Sequence, residues 1–149
     1  MSDEILQSLG QVDLFHGLSN KVLKHIASEG TVRSYDPGQA IVEEGASVSG
    51  WSSFSREGVC FYVILEGSGE VEVHGVPKGT LAAGQYFGEA SLIDGQPRTA
   101  TVVAGPDGMK AFALSAWAFA PILEENPGMA ITMLKVIVGR LRRAEAAQS

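Results

Sequence analysis

Residues 87–100, Phe-Gly-Glu-Ala-Ser-Leu-Ile-Asp-Gly-Gln-Pro-Arg-Thr-Ala, form the stretch around which the rest of this chain is organised. Gly88 lets the backbone approach another group closely, and the residues that follow favour a short helix that Gly95 ends. The first amides of a helix lack intrahelical partners and carry partial positive charge, so they suit an anion. Pro97 stiffens the turn that delivers Arg98, whose planar guanidinium has five donors. The stretch therefore predicts an anion pocket.

The alternative interpretation is a surface loop with a single helical turn and a solvated Arg98. Lone Gly-Glu and Pro-Arg pairs are common in proteins, and each feature taken alone favours this plain interpretation. Their order within one stretch, between two β-like segments, favours the pocket.

Outside this stretch, the pattern predicts helices at both ends and short strands between them. Gly and Pro turns recur at roughly ten-residue spacing, which is typical of an antiparallel sandwich or small barrel. The predicted helices span 2–9, 20–29, 116–125 and 127–146, with Ser19 and Ser115 as N-caps and Pro127 as a first helical residue. The predicted strands span 31–35, 39–43, 59–66, 70–74, 77–83, 99–104 and 109–114, with turns at 67–69 and 105–108.

The length and composition of the chain limit the kinds of protein that it can be. The 149 residues fit one domain, and 17 acidic against 11 basic residues give a net charge of −6. That balance argues against a nucleic-acid footprint, which needs a basic face. Cys60 is the only cysteine and lies in an apolar run, which predicts a small core residue and a reducing compartment. With an acidic N-terminus and no apolar run of membrane-spanning length, we expect a cytoplasmic protein.

The stretch 87–100 resembles the phosphate-binding cassette of cyclic nucleotide-binding domains, the modules of protein kinase A regulatory subunits, cyclic-nucleotide-gated channels and the catabolite activator family. That pattern is Phe-Gly-Glu, two small or apolar residues, Leu, an apolar residue, a variable turn, Arg, a small residue and Ala, and every element is present. Residues 14–18 and 60–67 also resemble the family. The resemblance implies an α+β, mainly β fold: an antiparallel β-roll (a jelly-roll-like barrel) with N-terminal helices and C-terminal B- and C-type helices.

The resemblance also implies a single domain over 1–149. Its parts are a helical cover at 1–30, the β-roll at 31–114 with the cassette at 87–100, and C-terminal helices at 115–149.

By resemblance, a cyclic mononucleotide binds in the cassette. Arg98 meets the phosphate, Glu89 accepts from the ribose 2′-hydroxyl, and Gly88 lies against the ribose. The expected ligand-binding residues are Gly88, Glu89, Ala90, Ser91, Arg98, Thr99 and Ala100. The Thr99 hydroxyl could bond a guanine amino group, yet family members with Thr here differ in preference, and we expect cAMP over cGMP. We expect no catalytic residue, no metal and no cofactor besides the nucleotide.

Other functions fit the sequence less well. A cupin-like metal enzyme needs clustered His and carboxylate ligands, whereas His16, His25 and His74 are isolated. A DNA-binding regulator of the catabolite activator type needs a helix-turn-helix after the last helix, and a channel tail needs a preceding membrane span; neither pattern is present. A pseudo-module that serves as a protein-interaction platform stays open. In it the Ser- and Gly-rich loop 46–58, with Trp51 and Phe54, would occlude the pocket or contact a partner.

The last predicted helix is apolar over more of its surface than one contact needs. Its seam consists of Ala130, Leu134, Ile137 and Leu141, widened by Ile131, Met133 and Val138. This width predicts a second contact, as a lid over the ligand or with an unknown protein partner or a second copy of the chain. We expect Lys135, Arg140, Arg142 and Arg143 to form a solvated basic end.

Overall fold

The computed structural model describes residues 3–15, 17–45, 60–88 and 99–148, with side chains for most of them. The helices are α1 (Asp3–Gly10), a 3₁₀ turn (Asp13–Phe15), α2 (Asn20–Glu29), α3 (Ala116–Glu125) and α4 (Pro127–Gln148). The strands are β1 (Thr31–Tyr35), β2 (Ala40–Val42), β3 (Cys60–Val73), β4 (Val76–Ala82), β5 (Tyr86–Phe87) and β6 (Thr101–Ser115). The loop 46–58 and most of the cassette, residues 89–98, lie outside the described residues.

The six strands form one antiparallel sheet in the order β1-β6-β3-β4, and β2 pairs with β6 while β5 pairs with β3. The long strands β3 and β6 are the spine of the sheet, in register from Cys60 opposite Ser115 to Glu72 opposite Thr101. This arrangement confirms the predicted antiparallel β-roll. The described strands form an open roll and do not close into a barrel.

The central strands are buried on both faces, which explains why β3 is apolar at consecutive positions. Successive side chains of a strand point to opposite faces. Phe61 and Val63 pack with the helices in one cluster, whereas Tyr62 and Ile64 pack on the other face with residues of β2, β5 and β6. Cys60 is 2% exposed in the second cluster, which confirms the predicted core cysteine.

The N-terminal helices cover one face of the roll, as predicted. Ser19 caps α2 by accepting a hydrogen bond from the Val22 N–H at 3.3 Å, and Leu23 and Ile26 turn inward. Leu23 and Ile26 join Phe15 in the cluster that also holds Phe61. Helices of eight to ten residues are only marginally stable in isolation, so packing against the sheet stabilises α1 and α2.

Two predicted turns are wrong. The segment Gly67-Ser68-Gly69 does not turn the chain, since β3 runs through it; residues 105–108 likewise lie inside β6. These segments face each other, and the pairing register shifts there, from Gly67 opposite Met109 to Gly69 opposite Ala104. A Cβ on Gly67 would collide with the Gly108 carbonyl oxygen. Glycine is therefore needed for a close backbone approach and a β-bulge, not for a reversal.

The chain reverses instead at His74-Gly75, between β3 and β4. Both residues have positive φ, 53° and 76°, as a two-residue type I′ hairpin requires. Glu44, just after β2, holds this turn: its carboxylate accepts from the His74 backbone N–H at 2.7 Å and contacts His74 Nδ1 at 2.8 Å.

At the C-terminal end, α3 and α4 meet at Asn126, as predicted. The Asn126 backbone N–H bonds the Ile122 and Leu123 carbonyls, and Pro127 begins α4. Among the described residues, no helix combines the length and apolar character needed to cross a bilayer.

Candidate functional site

A cavity of about 420 Å³ opens on the sheet where β4, β5 and the start of β6 converge, with α4 at its edge. Its volume is in the range of small-ligand sites, roughly 300–1,000 Å³. Its lining residues come from five strands, the segment before β6 and one helix: Val42, Val71, Lys78, Gly79, Thr80, Leu81, Tyr86, Phe87, Gly88, Thr99, Ala100, Val102 and Arg140.

Gly88 is positioned by the strand before it. Phe87 is 6% exposed and stacks on Tyr62, with ring centroids 5.1 Å apart and planes 16° apart. Tyr62 pairs with Phe87 across the β3–β5 ladder, so the end of β5 is fixed by both backbone and ring. Gly88 follows with a φ of 90°, which side-chain-bearing residues rarely adopt. Glycine therefore suits position 88, where the chain leaves β5 and lines the cavity.

The other end of the cassette is fixed by β6. Thr99 and Ala100 line the cavity immediately before β6 begins at Thr101. The Thr101 hydroxyl accepts a hydrogen bond from the Glu44 N–H at 2.9 Å, which ties the end of β2 to the start of β6. Val102 is 3% exposed and anchors the strand in the core.

Three of the seven predicted ligand-binding residues, Gly88, Thr99 and Ala100, line this one cavity although they are up to twelve positions apart in sequence. The other four, Glu89, Ala90, Ser91 and Arg98, lie outside the described residues. The assignment of all seven to ligand contacts is a proposal, taken up below.

The cavity is part apolar and part cationic. Val42, Val71 and Leu81 supply wall area that could pack against an aromatic base. Lys78 of β4 and Arg140 of α4 bring two positive charges to the same cavity of a chain whose net charge is −6. Both side chains only donate hydrogen bonds, so this part of the cavity suits a ligand edge that accepts them.

Sequence reasoning missed Lys78. Arg140 is exposed, as expected for a solvated basic end, but it also lines the cavity, which the sequence did not predict. The helical periodicity of α4 could have indicated that Arg140 reaches the cavity. The inner stripe of α4 consists of Met129, Met133, Val136 and Arg140, spaced by four, three and four residues. Met129 and Met133 are each 2% exposed in the helix-side core, and Val136 packs against it. Arg140 therefore continues a buried stripe out to the cavity.

A metal centre finds no support in this part of the molecule. Within residues 3–15, 17–45, 60–88 and 99–148, no three His, Cys, Asp or Glu side chains are grouped as metal ligands. His74, one of the three histidines considered in the sequence, is paired with Glu44 at the hairpin.

Comparison with known proteins identifies the family of the chain that forms this cavity. Residues 32–126 match the family model of the cyclic nucleotide-binding domain. The chain belongs to the cyclic nucleotide-binding domain family. The match runs from β1 to the junction between α3 and α4, and so includes all six strands and the cavity residues of the sheet.

Curated relatives of this cyclic nucleotide-binding domain include kinases and kinase regulatory subunits. The chain is 33% identical to a cGMP-dependent protein kinase of Eimeria tenella over 66% of its own length and 9% of the kinase. It is 32% identical to a cAMP-dependent protein kinase type II regulatory subunit of Drosophila melanogaster over 83% of its length and 30% of that subunit. The chain thus spans less than a third of the length of either relative.

Solved structures share the fold. The catabolite activator protein of Thermus thermophilus superposes with a TM-score of 0.74 at 26% identity, covering 89% of this chain and 60% of that one. The regulatory domain of Toxoplasma gondii protein kinase A, solved with cAMP, gives a TM-score of 0.74 at 22% identity, covering 90% of this chain and 49% of that one. At 22% identity, the second likeness supports the fold alone.

Proposed function

We propose that this cyclic nucleotide-binding domain binds one cyclic mononucleotide in the cavity and acts as a stand-alone second-messenger sensor or regulatory module, without catalytic activity of its own. The observation that carries the proposal is the convergence of Gly88, Thr99 and Ala100 on one cavity in a chain of this family. We further propose that it works in the cytoplasm.

A 3′,5′-cyclic nucleotide offers three parts for recognition, and the chain has a group for each. The phosphodiester carries one negative charge, which suits the Arg98 guanidinium and the backbone N–H groups near Ala90, Ser91 and Thr99. The ribose 2′-hydroxyl can donate to the ionised Glu89 carboxylate, with the Gly88 backbone against the sugar. The base then lies along the valine- and leucine-lined wall.

Charge-assisted hydrogen bonds contribute about 1.5–3 kcal/mol each. Several of them, with base burial and after ordering costs, reach about −8 kcal/mol, which is a micromolar affinity. Such an affinity suits a reversible sensor.

The proposed output is a population shift of α4 rather than a reaction. Arg140 brings this helix to the cavity edge, and Asn126-Pro127 is the junction at which it departs from α3. A ligand that contacts Arg140 binds more tightly when α4 is docked, and so favours the docked state. A protein partner that contacts α4 would read this shift.

For the base we propose cAMP, the ligand expected from the sequence. The relative described as a cAMP-dependent protein kinase regulatory subunit is consistent with that choice. A second candidate is cGMP, favoured by one observation: Lys78, Thr99 and Arg140 all present donors to the cavity. Guanine offers two acceptors on one edge, N7 and O6, whereas adenine offers N7 and a donor amino group.

Calorimetric titration of the full chain with cAMP, cGMP and the linear 5′-monophosphates tests the proposal. We expect one site, micromolar binding of a cyclic nucleotide, and weaker binding of the linear forms, whose extra charge and open ring do not match the cassette. A ligand at 100 times its dissociation constant should stabilise the fold by about 2.7 kcal/mol in thermal unfolding. Absence of binding to both cyclic nucleotides would favour the pseudo-module instead.

A further inference from the structure

Lys78 lies at an irregularity in β4, the strand at one edge of the described sheet. From the hairpin, β4 pairs regularly with β3 as far as Pro77, which lies opposite Glu72. The neighbouring residue of β3, Val71, lies opposite Gly79, so the register skips Lys78. One extra residue in a strand forms a β-bulge, in which two residues oppose a single residue of the partner strand. Lys78 and Gly79 therefore both oppose Val71.

The bulge decides which face of the sheet Lys78 occupies. Directly opposed residues of an antiparallel pair share a face, and so do alternate residues of a regular strand. Val71 lines the cavity, and Leu81 lines it two positions after Gly79. In a regular strand this alternation would turn Lys78 to the opposite face. Because Lys78 shares the position opposite Val71, the bulge brings it to the cavity, which it lines.

The surroundings of Lys78 suit a long side chain with a charged end. Gly79 contributes no side chain, and a Cβ built there would meet nothing within 4 Å, so space is open beside Lys78. Lysine can lay its methylene groups on an apolar surface and keep its ammonium in a polar environment. Within the described part of the chain the Lys78 ammonium has no ion-pair partner, whereas Lys110 Nζ lies 3.6 Å from Glu66 Oε2. The Lys78 ammonium is therefore available to a ligand.

An ammonium only donates hydrogen bonds, so it selects a ligand edge that accepts them. A 6-oxopurine such as guanine presents two acceptors, N7 and O6, on one edge. Adenine presents N7 beside a donor amino group, which repels a second donor. A carbonyl oxygen has two lone pairs, so O6 can accept from Lys78 while Arg140 also donates to it. The charge at the bulge therefore favours a 6-oxopurine over a 6-aminopurine.

We propose that Lys78 is a specificity-determining residue of the cavity, which donates to the six-position of the base and shifts the selectivity from cAMP towards 6-oxopurine cyclic nucleotides. This assignment rests on the proposed binding of a cyclic mononucleotide. It concerns the ratio of two affinities, so it applies whichever nucleotide the domain prefers. The ladder with β3 holds β4 in the sheet, so this contact does not depend on the docking of α4.

Protection of the sheet edge is a different explanation for the same features. Lysines and β-bulges on edge strands hinder pairing with another chain, and that role requires no contact with a ligand. Edge protection alone predicts that loss of the Lys78 charge promotes aggregation and leaves the selectivity of the cavity unchanged. The two explanations therefore give different results in a binding experiment.

Calorimetric titration of the full chain and of Lys78→Met with cAMP, cGMP and cyclic IMP tests the proposal. Methionine keeps an unbranched apolar stem and removes the ammonium. The three ligands carry the same charge, so loss of a distant positive charge weakens them equally and leaves their ratios unchanged. We expect Lys78→Met to lose about five-fold in affinity for cGMP relative to cAMP, the low end for a base-edge contact, because Lys78 is exposed. Cyclic IMP should lose as much as cGMP, since it keeps O6 and lacks only the 2-amino group.

Two further variants are the controls. Lys21→Met removes the same charge from an exposed position of α2, in the N-terminal helical cover, and should leave both ratios unchanged. Lys78→Arg keeps a charged donor at the bulge and should retain most of the discrimination.

The outcomes separate this assignment from the proposed function. If the parent binds cAMP and cGMP but Lys78→Met leaves their ratio unchanged, the assignment is overturned and the proposed function stands. A loss for cGMP that cyclic IMP does not share would also overturn it, because that pattern points to the 2-amino group. A parent that binds none of the three ligands would overturn the proposed function and the assignment with it.

Discussion

Glu44 clamps His74 across the sheet with both carboxylate oxygens. One oxygen accepts from the His74 backbone N–H at 2.7 Å, and the other contacts the imidazole Nδ1 at 2.8 Å. The Glu44 backbone in turn donates to the Thr101 hydroxyl at 2.9 Å. Glu44 thus links three parts of the sheet: the β3–β4 hairpin, the end of β2 and the start of β6. Both β2 and β6 also line the cavity, through Val42 and Val102.

The two bonds of this clamp should differ in strength. The His74 side chain is 85% exposed and that of Glu44 is 26% exposed, so solvent screens the imidazole contact. We expect His74→Asn to be nearly neutral, because Asn also tolerates the positive φ of this turn. Glu44→Ala should lower the free energy of unfolding by about 0.5–1.5 kcal/mol through loss of the bond to the backbone N–H. Urea unfolding of both variants measures the difference, and equal losses would contradict this ranking.

The glycine crossing between β3 and β6 should be more sensitive than an open turn. Gly67 and Gly75 both have positive φ, 82° and 76°, but an added Cβ on Gly75 meets nothing within 4 Å. Gly75→Ala should therefore cost only the left-handed strain, about 1–2 kcal/mol. Gly67→Ala also collides with the Gly108 carbonyl oxygen, which adds roughly 1–3 kcal/mol for displaced backbone. Thermal unfolding of the pair checks this, and a Gly67→Ala variant as stable as Gly75→Ala would refute the close approach.

Arg98 should carry the phosphate interaction. Arg98→Ala should weaken cyclic nucleotide binding by about 3–5 kcal/mol, because it leaves a desolvated phosphate charge without its partner. Arg98→Lys should also bind poorly, since an ammonium cannot form the two-pronged contact. Arg143→Ala is the control: it removes the same charge from an exposed position of α4. Calorimetric titration that finds Arg98→Ala within a few-fold of the parent would rule out the cassette assignment.

Arg140 should discriminate between bases. Its guanidinium can donate to both N7 and O6 of guanine, but only to N7 of adenine, and a bidentate contact of this kind contributes about 1–3 kcal/mol of discrimination. Arg140→Ala should therefore weaken cGMP binding more than cAMP binding, whichever of the two the parent prefers. Parallel titrations measure the ratio of dissociation constants. An unchanged ratio would show that Arg140 does not read the base edge.

Local chemistry was sufficient to predict several elements. β1 spans Thr31–Tyr35 as predicted, Ser19 caps α2 through its side chain, and Pro127 begins the last helix. Each of these features depends on residues within four positions of one another. The ordered pattern of residues 87–100 also lies within one continuous stretch of fourteen residues, and it was enough to indicate the family that the comparison then showed.

Features that depend on distant residues were not predictable in the same way. Gly67 and Gly108 have the composition of turns, and only their position opposite each other in the sheet shows that they serve a close crossing. Lys78 and Arg140 come from a strand and a helix more than sixty positions apart, so no sequence window contains both. The two faces of α4 could likewise be separated only once the position of the core was known. The sequence pattern placed Met133 and Leu134 on one apolar surface, whereas Met133 is buried and Leu134 is exposed.

The position of β6 in the sheet has a consequence for biosynthesis. β6 pairs with β1, β2 and β3, and its register with β1 joins Thr31 to Ala113. Pairing between segments so distant in sequence is slow, since loop-closure entropy must be overcome before the contacts form. On the ribosome, the first three strands must wait with unpaired edges until residues 101–115 emerge, so we expect the sheet to assemble after translation has passed this point. During that interval the apolar segment of β3 lacks its partner strand β6, and exposed apolar segments of this kind are prone to aggregate.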